Sequence, residues 1–198
     1  MNILIVYCHP SKNSYSHQIL EQLKSVIEKE KWNMEISDLY AMNFQSDMTE
    51  QEYEREGFAK TELPVPDDIL LEHKKIERAD CIIFLYPVWW SDCPSKLKGW
   101  FDRVYTVGYA YENQPDLPKM KMIKYGLVIC TAGNTYDYLD ETGIAQSMQT
   151  IMLNDRLNYR FENKEMLILA GTVDIEDVRQ KHQLEIDSLP MKIRNYCA

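Results

Sequence analysis

The stretch Cys81-Ile-Ile-Phe-Leu-Tyr86, stopped by Pro87, is an unbroken apolar run of strand length, rich in residues that suit a pleated backbone. A half-buried strand would alternate apolar and polar residues, so a continuous run predicts a strand covered on both faces, as in a parallel sheet. The same signature recurs at Asn2-Ile-Leu-Ile-Val-Tyr7, which ends at His9-Pro10, and at Tyr125-Gly-Leu-Val-Ile-Cys-Thr131. Met34-Glu-Ile-Ser-Asp38 and Met166-Leu-Ile-Leu-Ala170 complete five strands.

Between the strands the apolar spacing changes to that of helices. Ile19, Leu23, Val26 and Ile27 form one stripe, with Ser14 or Ser16 placed to cap it. Asp67 is placed to cap a helix through Arg78. Pro94 opens a helix carrying Leu97, Trp100, Phe101 and Val104. Ile144, Met148, Ile151 and Met152 mark another helix. A last one has Asp174 as cap and Pro190 as its stop. Residues 40–66 read as a polar, irregular excursion, and residues 108–123 as a loop with Pro115 and Pro118. The alternation predicts a doubly wound α/β domain over residues 1–198, with five parallel strands in the flavodoxin-like order 2-1-3-4-5 and helices on both faces.

Composition removes several function classes. The 198-residue chain has only seven glycines, none clustered, so G-x-G-x-x-G, G-x-x-x-x-G-K-[ST] and G-x-S-x-G are all absent. Net charge is −9 and pI about 5.0, which disfavours binding to a nucleic-acid backbone. No run approaches the ~18 apolar residues of a membrane span. The first residues lack a basic leader region, and the chain reads as cytoplasmic. The five cysteines form no C-x-x-C pair and the four histidines lack ligand spacing, so no metal is expected.

In such sheets ligands sit beyond the carboxyl ends of the strands, where the strand order reverses. Three loops qualify: residues 8–16, 87–93 and 131–143. The first joins His9 to Ser14-Tyr15-Ser16 at a helix N-terminus, a natural phosphate site, although a plain capping serine would read the same. The second contains Trp89-Trp90. Neighbours in extended chain point to opposite faces, so at least one of the pair should line an opening suited to a planar aromatic ligand. The third, Thr131-Ala-Gly-Asn-Thr-Tyr-Asp-Tyr138, offers backbone N–H groups to a polar ring edge.

The run Ala79–Trp90, continuing through Pro94-Ser-Lys-Leu-Lys-Gly-Trp-Phe-Asp-Arg-Val104 to Gly108-Tyr-Ala-Tyr111, resembles the NAD(P)H:quinone oxidoreductases of the flavodoxin-like fold. His9-Pro10 with Ser14-Tyr15-Ser16, and Asp38–Phe44, resemble the same family, over residues 1–145 in all. The resemblance implies a flavin, FAD or alternatively FMN, with NAD(P)H as co-substrate. It implies that His9, Ser14, Tyr15 and Ser16 hold the flavin phosphates and that Pro87, Val88, Trp89 and Trp90 run along the ring. Thr131, Ala132 and Gly133 would bind the opposite polar edge, and Asp102 would lie near the nucleotide part. Tyr111 would wall the pocket, reaching into the partner's site in a homodimer, and Tyr136 or Tyr138 would assist the chemistry. The implied reaction is ping-pong two-electron reduction of a quinone or similar acceptor. A flavin-binding ancillary subunit of the potassium-efflux type, with little turnover, is the alternative. The chain departs from the family pattern at Ala145, where a histidine is usual, and at Ser91, where an aromatic is usual. Asn158-Tyr-Arg-Phe161 also lacks the family's common Cys-Gly turn.

Overall fold

In a computed structural model of the chain, which describes residues 1–111 and 119–197, the five expected strands form one parallel sheet. Its strands are β1 (Asn2–Tyr7), β2 (Asn33–Asp38), β3 (Cys81–Pro87), β4 (Ile123–Thr131) and β5 (Phe161–Leu169), in the order β2-β1-β3-β4-β5. That is the expected order. β1 and β3 are paired Ile3 to Cys81 through Tyr7 to Leu85, and β3 and β4 are paired Cys81 to Tyr125 through Pro87 to Thr131. The carboxyl ends of these three strands therefore lie side by side.

Alternate residues of each strand feed two separate cores. Ile3, Ile5, Tyr7, Ile83, Leu85, Leu127 and Ile129 pack against α1 (Tyr15–Lys29) and α7 (Ile175–Cys197). Leu4, Val6, Ile82, Phe84, Tyr86, Val128 and Cys130 face the other way. There they meet α3 (Asp67–Arg78), α4 (Ser95–Val104) and α6 (Ile144–Gln149). Each buried Ile, Leu or Val contributes on the order of 1.5–3 kcal/mol, so the double coverage explains why the central strands β1 and β3 are nearly unbroken apolar runs. The fully buried Glu72 of α3 accepts hydrogen bonds from Ser37 Oγ (2.8 Å), Trp100 Nε1 (2.9 Å) and Lys75 Nζ (2.6 Å), locking β2, α3 and α4 together. Its charge is tolerable there because it is paired and hydrogen-bonded.

Several boundaries differ from expectation. The excursion at 40–66 is not wholly irregular: α2 (Glu50–Gly57) lies within it, started by a Thr49–Glu52 capping box. Pro66, not Asp67, occupies the N-cap of α3, and no side chain caps that helix. Pro94 is likewise the N-cap of α4, one residue outside it. α6 runs on into a π-helical segment, Thr150–Leu157, and β5 begins five residues before Met166. Asp174 closes a short 3-10 turn that precedes α7. Pro190 does not stop α7, although a proline inside a helix costs about 3 kcal/mol. Burial of Ile193 and Cys197 beyond it, with Tyr196 stacked on Tyr125 at 4.7 Å between ring centroids, offsets that cost. Pro115 and Pro118 lie outside the described residues.

All five cysteines are buried free thiols. Burial pushes the Cys8 and Cys93 thiols up to about 12, which keeps them protonated and inert.

Gly99 in α4 shows how the excursion docks. A Cβ there would stand 2.2 Å from the Ser46 backbone carbonyl oxygen, so the 42–49 segment crosses this helix at backbone contact. Gly99→Ala is expected to destabilise the protein by about 1–3 kcal/mol, lowering Tm by several degrees in thermal unfolding. An unchanged Tm would show that the segment does not rest on α4.

Candidate functional site

The three loops at the strand ends meet. His9, just beyond β1, approaches Trp89 edge-on at 6.3 Å between ring centroids. Ser16, in the first turn of α1, is hydrogen-bonded through its buried hydroxyl to Thr131 Oγ1 at the end of β4 (2.8 Å). The Val88 N–H donates to the Thr131 carbonyl (2.8 Å), so the second loop leaves the sheet already fastened to the third. The third is fastened in turn to the connection between β5 and α7: the Gly171 N–H donates to the Asn134 carbonyl (2.7 Å) and the Thr172 N–H to that of Ala132 (3.0 Å).

In the first loop the side chains are largely engaged within the protein. Ser14 is the N-cap of α1: its Oγ accepts the His17 N–H (3.1 Å) and donates to the Ser11 carbonyl (2.8 Å). The Tyr15 hydroxyl lies 3.0 Å from His182 Nδ1, tying α1 to α7. The capping reading of the serine thus holds for the side chain. What the loop offers a ligand is the backbone N–H groups of Tyr15 and Ser16, unpaired as at any helix start, with the positive end of the helix dipole. His9 adds an imidazole. Its Nδ1 is engaged by the Ser11 backbone (3.0 Å), leaving Nε2 open, and burial pulls its pKa below the ordinary value, so it is neutral at pH 7.

The second loop closes as a two-residue hairpin. The Trp89 N–H donates to the Asp92 carbonyl (2.9 Å) and the Asp92 N–H to that of Trp89 (3.2 Å). The two residues between them have positive φ, +51° at Trp90 and +62° at Ser91. Asn-Gly is the usual occupant of such a turn, and a bulky residue there is strained. Trp89 is 41% exposed and Trp90 is 102% exposed. Alternation along the chain predicts at least one ring outside the core, and the turn puts both at the surface. Val88 and Trp89 have their N–H groups occupied, so the N–H groups facing outward from this loop are those of Trp90 and Ser91. Pro87 ends β3.

In the third loop, Ala132 is buried and Gly133 exposed. A Cβ on Gly133 would meet only Val173, at an ordinary 3.5 Å, and its φ lies outside the left-handed range. The fold itself therefore does not require glycine there. Thr135 then caps α5 (Tyr136–Glu141) through the Tyr138 N–H (3.3 Å). Tyr136 and Tyr138 are both about half exposed. Two residues apart on a helix, they point to nearly opposite sides, so only one of them can face a ring lying over the strand ends.

Two expected site residues do not join this cluster. Asp102 sits exposed on α4, paired with Lys98 one turn earlier. Tyr111 lies in the loop after α4, where its hydroxyl donates to Glu56 Oε2 (3.1 Å). That loop, together with the chain between α2 and α3, borders a separate cavity of about 900 Å³ lined by Leu63, Val65, Leu70, His73, Thr106 and Tyr109.

One pair was not anticipated. Asp92 is held by a bidentate fork from Arg156 of the π-helical segment (Nη1–Oδ1 2.8 Å, Nη2–Oδ2 2.9 Å). Burial pushes the Asp92 carboxyl up, but hydrogen bonds from Arg156 and from the Cys93 N–H outweigh it and hold the group below its ordinary value. Neither residue carries a sequence signal: the two are 64 positions apart and belong to no motif.

The chain is similar to known proteins over nearly its whole length. A family model described as flavodoxin-like fold matches residues 1–188, well past the 1–145 span of the sequence resemblance. A Haemophilus influenzae protein named as an uncharacterized NAD(P)H oxidoreductase is 32% identical over 190 residues, which is 94% of this chain and 92% of that protein. The rat NAD(P)H dehydrogenase [quinone] 1 is 37% identical over 121 residues, covering 54% of this chain and 44% of the rat protein. Among solved structures, an NAD(P)H:quinone oxidoreductase from Methanothermobacter marburgensis superposes with TM-score 0.86 at 42% identity, covering 94% of this chain and 92% of that one.

Because Trp90 touches no core, Trp90→Ala is expected to change unfolding free energy by no more than about 0.5 kcal/mol in denaturant titration. A loss of several kcal/mol would mean that the ring packs into the protein and does not face a ligand.

Proposed function

The chain belongs to the flavodoxin-like fold family, and from that membership we propose that it is an NAD(P)H-dependent flavoprotein reducing quinones or similar acceptors by two electrons. The observation that carries this reading is the convergence of three loops on one ledge, with His9 against Trp89 and Ser16 bonded to Thr131. The donor set fits a flavin. Free backbone N–H groups stand at a helix N-terminus and at the Trp90–Ser91 turn, and Gly133 leaves open a place that a Cβ would fill.

The backbone of Tyr15 and Ser16, with His9 Nε2, would hold phosphate oxygens. The Trp90 ring and the Trp90 and Ser91 N–H groups would run along one side of the ring system, and Thr131, Ala132 and Gly133 along the other. A bound flavin supplies the hydride acceptance and donation. The chain's own residues bind, orient and exclude water, which fixes the near-attack distance for whatever lies over the ring. N–H donors aimed at the ring's polar edge stabilise the negative charge that develops there. Ala145 is only 1% exposed, so the place of the family histidine is filled by core. The hydroxyl of Tyr136 or Tyr138 is then the protein group on hand to hold a proton beside the ring. Ser91, in place of an aromatic, leaves the acceptor side open to bulky substrates.

NAD(P)H and acceptor would use the same ledge in turn, as a ping-pong cycle requires. We place the enzyme in the cytoplasm, where five unpaired thiols are the norm. We further propose a homodimer. Tyr111 stands apart from the loops of its own chain, beside the cavity lined by Leu63, Val65 and Leu70, and in a pair of subunits it would complete the site of the other.

Purified protein is expected to bind FAD or FMN, to bleach with NADPH or NADH, and to recolour with menadione. The mass of the extracted cofactor decides between the two flavins. Retained flavin with no nicotinamide oxidation would defeat the enzymatic reading in favour of an ancillary subunit. Gly133→Ala is expected to weaken flavin binding tenfold or more while leaving Tm within about two degrees, since the fold has room for the methyl. Unaltered flavin affinity would remove the 131–133 edge from the site.

A further inference from the structure

The hairpin at Trp89–Asp92 poses a problem that its own sequence does not solve. Trp90 and Ser91 both occupy left-handed backbone, a conformation that strains any residue with a side chain, and such strain persists only where the surroundings impose it. Two backbone hydrogen bonds close it as a two-residue hairpin, a form that calls for positive φ at both central residues, and neither Trp90 nor Ser91 favours that conformation. A second constraint reaches the turn from elsewhere in the chain.

That constraint is the side chain of Arg156. It is 7% exposed, and its guanidinium lies 5.4 Å over the Phe101 ring of α4. Nη1 also lies 3.1 Å from Met152 Sδ and 3.3 Å from Cys93 Sγ. With its position fixed on these sides, its fork grips both oxygens of Asp92, the last residue of the turn. Asp92 Oδ1 also accepts the N–H of Cys93 (2.6 Å), so the exit of the hairpin is fixed as well. The π-helical winding of Thr150–Leu157, with its extra residue per turn, carries Arg156; such windings are uncommon and recur at functional sites. Arginine suits the task because its planar fork meets a carboxylate in one orientation only, whereas an ammonium would act as a point charge.

We propose that Arg156 is a positioning residue for the cofactor ledge, its fork on Asp92 holding Trp90 and Ser91 in the strained turn that sets the Trp90 ring and two N–H groups against the flavin. The proposal rests on the reading of residues 87–93 as part of a flavin site. Arg156 touches neither cofactor nor substrate; it acts through the geometry of the turn. Its consequence is that affinity for the ring depends on a buried ion pair outside the pocket. Glycine, which adopts positive φ without penalty, should replace that pair in part.

The test uses the full-length protein with flavin titrated by fluorescence quenching. Arg156→Lys, which keeps the charge and loses the fork, is expected to weaken flavin binding fivefold or more. Arg156→Met is expected to weaken it further, and Ser91→Gly introduced into the Arg156→Met protein to recover at least threefold of the loss. Ser91→Gly in the protein that keeps Arg156 gives the affinity against which that recovery is measured. Acrylamide quenching of a protein whose other tryptophans are replaced by phenylalanine reads the Trp90 environment without flavin. The Arg156→Lys substitution should alter that quenching. If Arg156→Lys binds flavin as the unsubstituted protein does, or if Ser91→Gly recovers nothing, Arg156 supports the fold only and the proposal fails. Should Arg156→Met not fold, the same comparison runs on Arg156→Lys with and without Ser91→Gly. Failure of the unsubstituted protein to bind any flavin defeats the functional reading instead, and the quenching comparison still decides whether Arg156 sets the turn.

Discussion

Both faces of the sheet are covered by helices, and nearly everything else about the molecule follows from that constraint. A strand buried on two sides has no room for polar side chains along its length. Chemistry is therefore pushed to the strand ends. Because β1 sits between β2 and β3, the winding reverses beside β1, and the ends of β1, β3 and β4 lie side by side. The carboxyl-end loops are the part of this chain that can gather donors from distant segments without breaking the core.

Gathering them is only half of what a ring-binding site needs, since the donors must also stand still. Ser16 with Thr131, Val88 with Thr131, and Asn134 with Gly171 join the ledge into one piece at three points. These bonds engage groups that a motif-based reading would have assigned to the ligand. A hydroxyl already bonded at 2.8 Å inside the protein gives rigidity, and rigidity lowers the entropy that binding must overcome. The residues named from family resemblance thus fall into two kinds. Trp90, Ser91, Gly133 and His9 leave atoms open to a ligand, while Ser14, Ser16 and the Tyr15 hydroxyl hold the loops that present them.

The sheet was legible because burial on both faces writes itself into consecutive residues, as in Ile82–Tyr86 and Ile3–Tyr7. The loops were legible by topology alone, before any residue type was weighed. α2 was legible in principle from Thr49 and Glu52, but a helix of eight residues without a long apolar stripe does not show itself by periodicity. The continuation of α7 past Pro190 was not legible. A proline is a local stop signal, while the burial of Ile193 and Cys197 that overrides it comes from packing against strands more than a hundred residues away in some cases. Asp92 and Arg156 were silent for the same reason: an ion pair between distant positions leaves no periodic trace.

The seven glycines acquire a sharper meaning in this light. A phosphate loop uses glycine so that successive backbone N–H groups can turn toward the ligand. Here the first turn of α1, set by the Ser14 cap, presents such groups with ordinary residues, because a helix start leaves them unpaired in any case. Glycine is kept instead where packing forbids a side chain, as at Gly99 against Ser46 and Gly126 against Phe161. Gly133 fits neither use: its φ is ordinary and the nearest atom to a Cβ is a valine methyl at 3.5 Å. A glycine that neither conformation nor packing demands, set on the ledge where the three loops meet, is best accounted for by what must lie against it. The scarcity that removes the familiar nucleotide-binding motifs thus leaves Gly133 as the glycine on which the proposed cofactor edge rests.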